Sequence, residues 1–271
     1  QAFKESGLTQ KNLDAVAFTN GPGLIGSLLV ASSFAKGLSS SLGIPLIGVN
    51  HLQAHVLANF IDDPKPNFPF LCLLVSGGHT QILKVTDQIT YEIIGQTLDD
   101  AAGEAFDKAA KVIDLPYPGG PNVDKYAKHG NIDAFEFPTP KIQGLNFSFS
   151  GLKTSFLYKI RDGLKDNPNF IKENTNDLCA SYQHRIVSYL TGKLVKASKQ
   201  TGIKEIALAG GVAANSALRE RINELSIKHR WNTYIPQRQY CTDNAAMIAI
   251  TAYYKYLAKD FSTKEIKTFA R

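Results

Sequence analysis

His51 and His55 stand four residues apart in GVNHLQAHVLANF, a run that is otherwise mostly apolar. Positions i and i+4 share a helical face, so both imidazoles can address one ion. The zinc-protease pattern H-E-x-x-H would place a glutamate after the first histidine, but Leu52 stands there. By itself the pair reads equally as two ordinary buried or partnered side chains or as a metal holder without an adjacent base to activate water. A carboxylate is the oxygen ligand that two histidines would need for iron or zinc. CTDNAAMIA offers one, placing Thr242, Asp243 and Asn244 at an expected helix start. Capping explains one of the three but not the whole cluster.

Glycine turns supply the second kind of chemistry. Gly21-Pro22-Gly23-Leu24-Ile25-Gly26 spells G-x-G-x-x-G between a strand and a helix, the dinucleotide-binding spacing. That reading needs an acidic residue about 20 positions on. No Asp or Glu occurs from Ala15 to Ile61, which excludes it, and the glycines are expected to serve a tight turn. In LLVSGGHT, Gly77 and Gly78 let backbone N–H groups approach an anion, with Ser76 and Thr80 adding hydroxyls. A plain hairpin turn accounts for them equally well. In LAGGVAANSALRE, Gly210 and Gly211 precede a helix whose cap is Asn215; an anion site and a simple strand–helix turn stand level. DDAAGEAFDKAAK sets Asp100, Glu104, Asp107 and Lys111 on one stripe, a pattern that is usually a solvated face. Asp107 gains interest from YPGGPNVDK, where Gly119 and Gly120 can bring backbone close to a ligand near Asp124.

The elements that must position these groups follow from periodicity. AVAFTN reads as a strand, LLVASSFAKGLSSSLG as a helix stopped by Gly43, and IPLIGVN as a second strand leading into the histidine helix. This alternation predicts a parallel α/β layer, and IDDPKPNFP reads as a linker. FLCLLV and TQILKV then form a hairpin around a Gly-Gly turn, with TYEIIG as a third strand. A helix is expected over 98–113, then a Gly/Pro-rich loop and irregular chain to about Leu145. Helix follows around 177–199, then strand EIALAG, helix NSALRERINELS, strand NTYIPQ and a helix over 243–257.

Composition narrows the class. The 271 residues are 44% hydrophobic and 20% charged, with 30 basic against 24 acidic side chains, ordinary for a globular protein. The net +6 permits a nucleic-acid partner without requiring one. Three scattered cysteines make no disulfide framework and suit a reducing cytosol. No apolar run reaches the roughly 18–20 residues of a membrane span, so a cytoplasmic location and no membrane partner are expected. The chain opens as the last turns of a helix and its one methionine is Met247, so a natural N-terminus is expected upstream.

Taken together, HLQAH, LLVSGGHTQIL, DDAAGEAFDKAAK, YPGGP, FSFSGLKT, LAGGVAANSALR and CTDNAAMIA resemble the tRNA N6-adenosine threonylcarbamoyltransferase family. This is bacterial TsaD and its relatives, once labelled O-sialoglycoprotein endopeptidase. The resemblance covers essentially the whole chain. It implies the two-lobed fold of actin, sugar kinases and the Hsp70 ATPase (ASKHA), with ribonuclease H-like lobes and the first lobe incomplete at its N-terminus. Lobe one would be 1–69 with the helix of about 244–271 packing back on it, and lobe two 70–243. His51, His55 and Asp243 would hold a divalent metal, Fe(2+) ahead of Zn(2+). Leu74, Val75, Ser76, Gly77 and Gly78 match the loop on the phosphate side of threonylcarbamoyl-AMP. Asp107, Gly120 and Asp124 match positions around its ribose and adenine, and Asn215 another contact on that nucleotide. The implied reaction forms N6-threonylcarbamoyladenosine at position 37 of tRNAs reading ANN codons, with a TsaB-like paralog and a TsaE-like ATPase as partner subunits. A metallopeptidase and an ATPase or kinase of the same fold are the alternatives.

Overall fold

The computed structural model describes residues 2–270. After a short helix α1 (Ala2–Ser6), strand β1 (Val16–Gly21) and β2 (Leu46–Asn50) pair in parallel across helix α2 (Ile25–Leu42). Gly43 ends α2 at φ 66°, a left-handed cap that glycine adopts without penalty. Helix α3 (His51–Leu57) starts directly from the carboxyl end of β2.

A second sheet follows. Strands β3 (Phe70–Val75), β4 (Thr80–Val85) and β5 (Tyr91–Gln96) form an antiparallel meander. Helices α4 (Ala102–Val112), α5 (Gly119–Ala127), α6 (Ser150–Asp166) and α7 (Phe170–Thr201) come next, then β6 (Glu205–Ala209), α8 (Ser216–His229), β7 (Asn232–Tyr234), α9 (Arg238–Cys241) and α10 (Ala245–Leu257). The order is β5-β4-β3-β6-β7, with β6 parallel to both β3 and β7. A meander joined to parallel strands through long helices is the β-β-β-α-β-α arrangement expected of the second lobe.

Every residue of β3 is buried, because the sheet is covered on both faces. Alternation sends Leu71, Leu73 and Val75 into a core with helices α4 to α8, and Phe70, Cys72 and Leu74 into another with α3 and α10. Truncating Leu73, which is fully buried, is expected to cost about 2–5 kcal/mol. Helix α10 lies against α3 and β2, and Asn59 ties the end of the histidine segment to β6 through its Nδ2 bond to the Leu208 carbonyl at 2.9 Å.

Three local expectations change. The SGGH connection is a four-residue loop closed by Ser76 N–H to the His79 carbonyl at 2.8 Å, not a two-residue turn. The Gly/Pro-rich stretch starts α5 at Gly119, since glycine and proline are tolerated in a first turn where N–H groups have no partners within the helix. FSFSGLKT opens the seventeen-residue α6, absent from the sequence reading because its Ser-Gly start lacks an apolar period.

Candidate metal centre and glycine loops

The metal-ligand geometry begins with two asparagine caps. Asn50 Oδ1 accepts the N–H groups of Leu52 and Gln53 at 2.9 and 3.1 Å, fixing where α3 begins and hence where His51 and His55 point. Asn244 Oδ1 accepts Met247 N–H at 2.8 Å, and its Nδ2 bonds the Thr242 carbonyl at 2.8 Å. Asp243 therefore stands just before α10 on a folded segment, and α10 packs on α3.

His51 Nε2 and His55 Nε2 lie 3.3 and 3.2 Å from the same oxygen, Asp243 Oδ1. The ligand atoms of all three lie within 4.8 Å of one another. Two donors each about 2.0–2.1 Å from a shared ion and on adjacent vertices would stand roughly 3 Å apart, so the spacing fits an ion. Two imidazoles and one carboxylate also form the donor set of non-haem iron and of zinc centres. His55 is buried and its Nδ1 has no hydrogen-bond partner; Asp243 is 78% exposed, which leaves the centre an open side. Hydrogen bonds from His51 and then His55 hold the Asp243 carboxyl well below the usual carboxylate range, despite partial burial. It is an anion, as a ligand must be.

The remaining expected residues gather at the carboxyl ends of β3 and β6. These strands are parallel neighbours, pairing Leu74 with Ala209. Leu74 and Val75 have fully buried side chains, so only their backbone can meet a ligand. Gly77 and Gly78 are exposed, with nothing within 4 Å of where a Cβ would stand; Gly211, at the helical turn after β6, is equally open. Gly210 differs, because at φ 85° a Cβ would overlap the Val75 carbonyl. It is glycine so that the two loops can touch.

Asp107 Oδ1 accepts the Gly119 and Gly120 N–H groups at 2.8 and 3.3 Å, anchoring the start of α5. Asp124 takes Ser216 through its N–H at 3.2 Å and its hydroxyl at 2.7 Å. Asn215 caps α8 through Leu218 N–H at 2.9 Å and donates to Gln183 Oε1 at 2.6 Å. So Asp107, Gly120, Asp124 and Asn215 form one connected frame around the β6 loop. The acidic stripe dissolves otherwise: Lys108, not Lys111, pairs with Asp100 and Glu104 at 2.7 and 2.6 Å.

Sequence reasoning passed over three residues that shape this region. Gly103 packs under the SGGH loop, and Asp99 gathers Ser148 and Ser150 at the start of α6. Arg219 reaches from α8 to the carbonyls of Ala213 and Pro236. A glycine two residues after Ala101, at the beginning of a helix, was the only signal for Gly103, and Arg219 gave none.

Layers, strand order and the three-ligand centre define a two-lobed ASKHA-type α/β protein with a candidate metal site. The chain of HypF from T. kodakarensis overlays on it with a TM-score of 0.65 at 14% identity, covering 94% of this chain and 42% of that one. Component A of the Acidaminococcus fermentans (R)-2-hydroxyglutaryl-CoA dehydratase gives 0.51 at 14% identity, over 95% and 82%. The family model for tRNA N6-adenosine threonylcarbamoyltransferase (TsaD) matches residues 1–250. Proteins of that name from Porphyromonas gingivalis and Phocaeicola vulgatus are 56% and 57% identical over 100% of this chain and 81% of theirs. The chain belongs to the tRNA N6-adenosine threonylcarbamoyltransferase family.

Proposed function

We propose that this protein transfers the threonylcarbamoyl group from threonylcarbamoyl-AMP to N6 of adenine 37 in tRNAs reading ANN codons. The observation that carries this reading is the meeting of His51, His55 and Asp243 around one point in a chain more than half identical to named transferases. In the reaction the N6 amine attacks the carbamoyl carbon, the bond to the phosphate oxygen breaks, and AMP leaves with its negative charge while N6 loses a proton.

This chain's residues have distinct tasks in that scheme. Backbone N–H groups of Gly77, Gly78 and Gly211 face the phosphate, since no side chain fills the space above them. Asp107 uses Oδ1 for Gly119 and Gly120, leaving Oδ2 for a ribose hydroxyl. Asp124 and Asn215, whose polar groups are engaged with Ser216, Leu218 and Gln183, hold the loop that carries the adenine side. A bound Fe(2+), or next Zn(2+), held by His51, His55 and Asp243, would supply Lewis acidity at the carbamate end of the donor.

We assign 1–69 with about 244–271 to lobe one and 70–243 to lobe two; the separate sheets and the packing of α10 on α3 and β2 support that division. A TsaB-like paralog fits the apolar stripe of α2, where Val30 and Phe34 are 74% and 71% exposed; a TsaE-like ATPase completes the expected assembly. No described helix is long and apolar enough to cross a membrane, in keeping with work on tRNA in the cytoplasm. The peptidase alternative gains nothing: among the described residues the one carboxylate joining the histidines is Asp243, and it sits between them.

Metal analysis of the purified protein, combined with mass spectrometry of nucleotides it retains, tests the assignment. Metal with AMP or threonylcarbamoyl-AMP is the expected finding. Metal-dependent peptide cleavage without transfer to tRNA would refute it.

A further inference from the structure

Arg219 is a half-buried cation in the first turn of α8, an end of a helix where positive charge is unfavourable. Among the described residues no carboxylate lies within ion-pairing distance of it; its partners are backbone carbonyls and a sulfur. Nη1 donates to the Ala213 carbonyl at 3.0 Å and to the Pro236 carbonyl at 3.1 Å. Nη2 donates to Pro236 again at 3.2 Å, and Cys241 Sγ lies 3.8 Å from Nη1. These acceptors belong to two different places. Ala213 lies within the helical turn Gly211–Ala214 that follows Gly210. Pro236 and Cys241 bracket the short helix α9, and Asp243 comes two residues after Cys241.

The segment carrying Asp243 is thin. Cys241 Sγ folds back on the Pro236 and Gln237 carbonyls, and Asn244 on those of Tyr240 and Thr242. Among the described residues, the largely exposed Asp243 side chain has only the two histidines as partners. Its place therefore depends on where its backbone is hung, and the guanidinium holds that segment at the Pro236 carbonyl and touches it again at the Cys241 thiol. A planar fork can bind Pro236 twice while reaching Ala213; an ammonium cannot.

We infer that Arg219 is a positioning residue that holds the third metal ligand, Asp243, at a fixed place relative to the Gly210–Asn215 loop. It touches neither ion nor donor. Its effect is on how well Asp243 completes the centre, in the way that residues behind metal ligands set affinity by fixing their orientation. This rests on the reading of His51, His55 and Asp243 as a metal centre.

The test is titration of the metal-free full-length protein with Co(2+), reading affinity and visible absorption bands, for wild type, Arg219→Gln, Arg219→Lys, Ile222→Val and His55→Ala. Arg219→Lys is expected to bind Co(2+) roughly 10–100-fold more weakly with changed bands, and Arg219→Gln no better. Ile222 is buried on the same helix and makes none of these bonds, so Ile222→Val should lose thermal stability yet keep wild-type bands and affinity. That contrast separates positioning from general loosening. Arg219→Lys keeps the test alive if Arg219→Gln does not fold. Wild-type affinity and bands in Arg219→Lys would overturn the inference. Unchanged Co(2+) binding in His55→Ala would overturn the centre itself, and the inference with it.

Discussion

The Gly103 N–H donates to the Ser76 carbonyl at 3.2 Å, and a Cβ on Gly103 would stand 2.5 Å from that same oxygen. Helix α4 thus presses on the SGGH loop from below, with Ala102 N–H bonded to Thr80 Oγ1 at 2.9 Å beside it. Gly77 and Gly78 keep open space above. One glycine lets the helix approach the loop, and the other two leave room for a ligand.

This relationship predicts opposite outcomes for two alanine substitutions. Gly103→Ala must push the loop or the helix aside and is expected to cost about 1–3 kcal/mol by overpacking. Gly77→Ala meets nothing and should leave the melting temperature within about 2 °C of wild type, while weakening AMP binding about tenfold by blocking approach to the backbone. Thermal melts with equilibrium dialysis of AMP decide it. Full AMP affinity in a stable Gly77→Ala protein would show that the loop does not hold the phosphate.

Removal of a metal ligand should separate metal loss from unfolding. His55→Ala and Asp243→Asn are each expected to weaken metal binding by at least about 100-fold, the upper end of the range seen for residues behind the ligands. Asp243 is largely exposed but its carboxylate is held by both histidines, so Asp243→Asn should cost about 1–2 kcal/mol, well short of unfolding the protein. Metal content after dialysis, read beside a urea melt, checks both.

Glu205 gives a prediction in pH. Burial raises its carboxyl, but hydrogen bonds from Tyr234, Asn232 and Asn67 outweigh this and hold it below the ordinary glutamate value. Tyr234 donates at 2.6 Å, and burial together with the Glu205 charge pushes its hydroxyl up to about 12, so it stays protonated. A depressed carboxyl contributes stability that is complete above its unfolded pKa and is lost as pH falls through the folded one. Tyr234→Phe should therefore lower stability by about 1 kcal/mol near pH 7, with the deficit shrinking below about pH 4. Urea midpoints across that range test it; a deficit that grows toward acid would contradict the assignment.

Asp99 is expected to hold the start of α6. It accepts Ser148 Oγ at 2.5 Å, Phe149 N–H at 2.7 Å and Ser150 Oγ at 2.8 Å. Asp99→Ala should cost about 1–2 kcal/mol, as loss of a helix cap does, and speed amide exchange through the first turn of α6. Unchanged exchange there would remove Asp99 from that role.

The sequence revealed the ligands better than their supports. His51 and His55 declare themselves because one turn of helix separates them, and Asp243 because Thr-Asp-Asn exceeds what a cap requires. Strand β3 was equally readable, since burial on both sides makes FLCLLV uniformly apolar. What stayed hidden depends on partners distant in sequence. The match of Asp107 to Gly119 rather than to Lys111, of Lys108 to Asp100 and Glu104, and of Arg219 to Pro236 is set by how helices α4, α5 and α8 pack. Helices α5 and α6 were obscured for a local reason: Gly-Gly-Pro and Ser-Gly look like loop until something caps or supports their first turns.

The central claim is transfer to tRNA through this centre. Its most direct test is incubation of the metal-loaded full-length protein and its partner subunits with threonylcarbamoyl-AMP and unmodified tRNA, followed by mass spectrometry of the digested nucleosides. Wild type should form N6-threonylcarbamoyladenosine at position 37, and His55→Ala should form it at least about 100-fold more slowly. Product formed by His55→Ala at the wild-type rate would contradict the account.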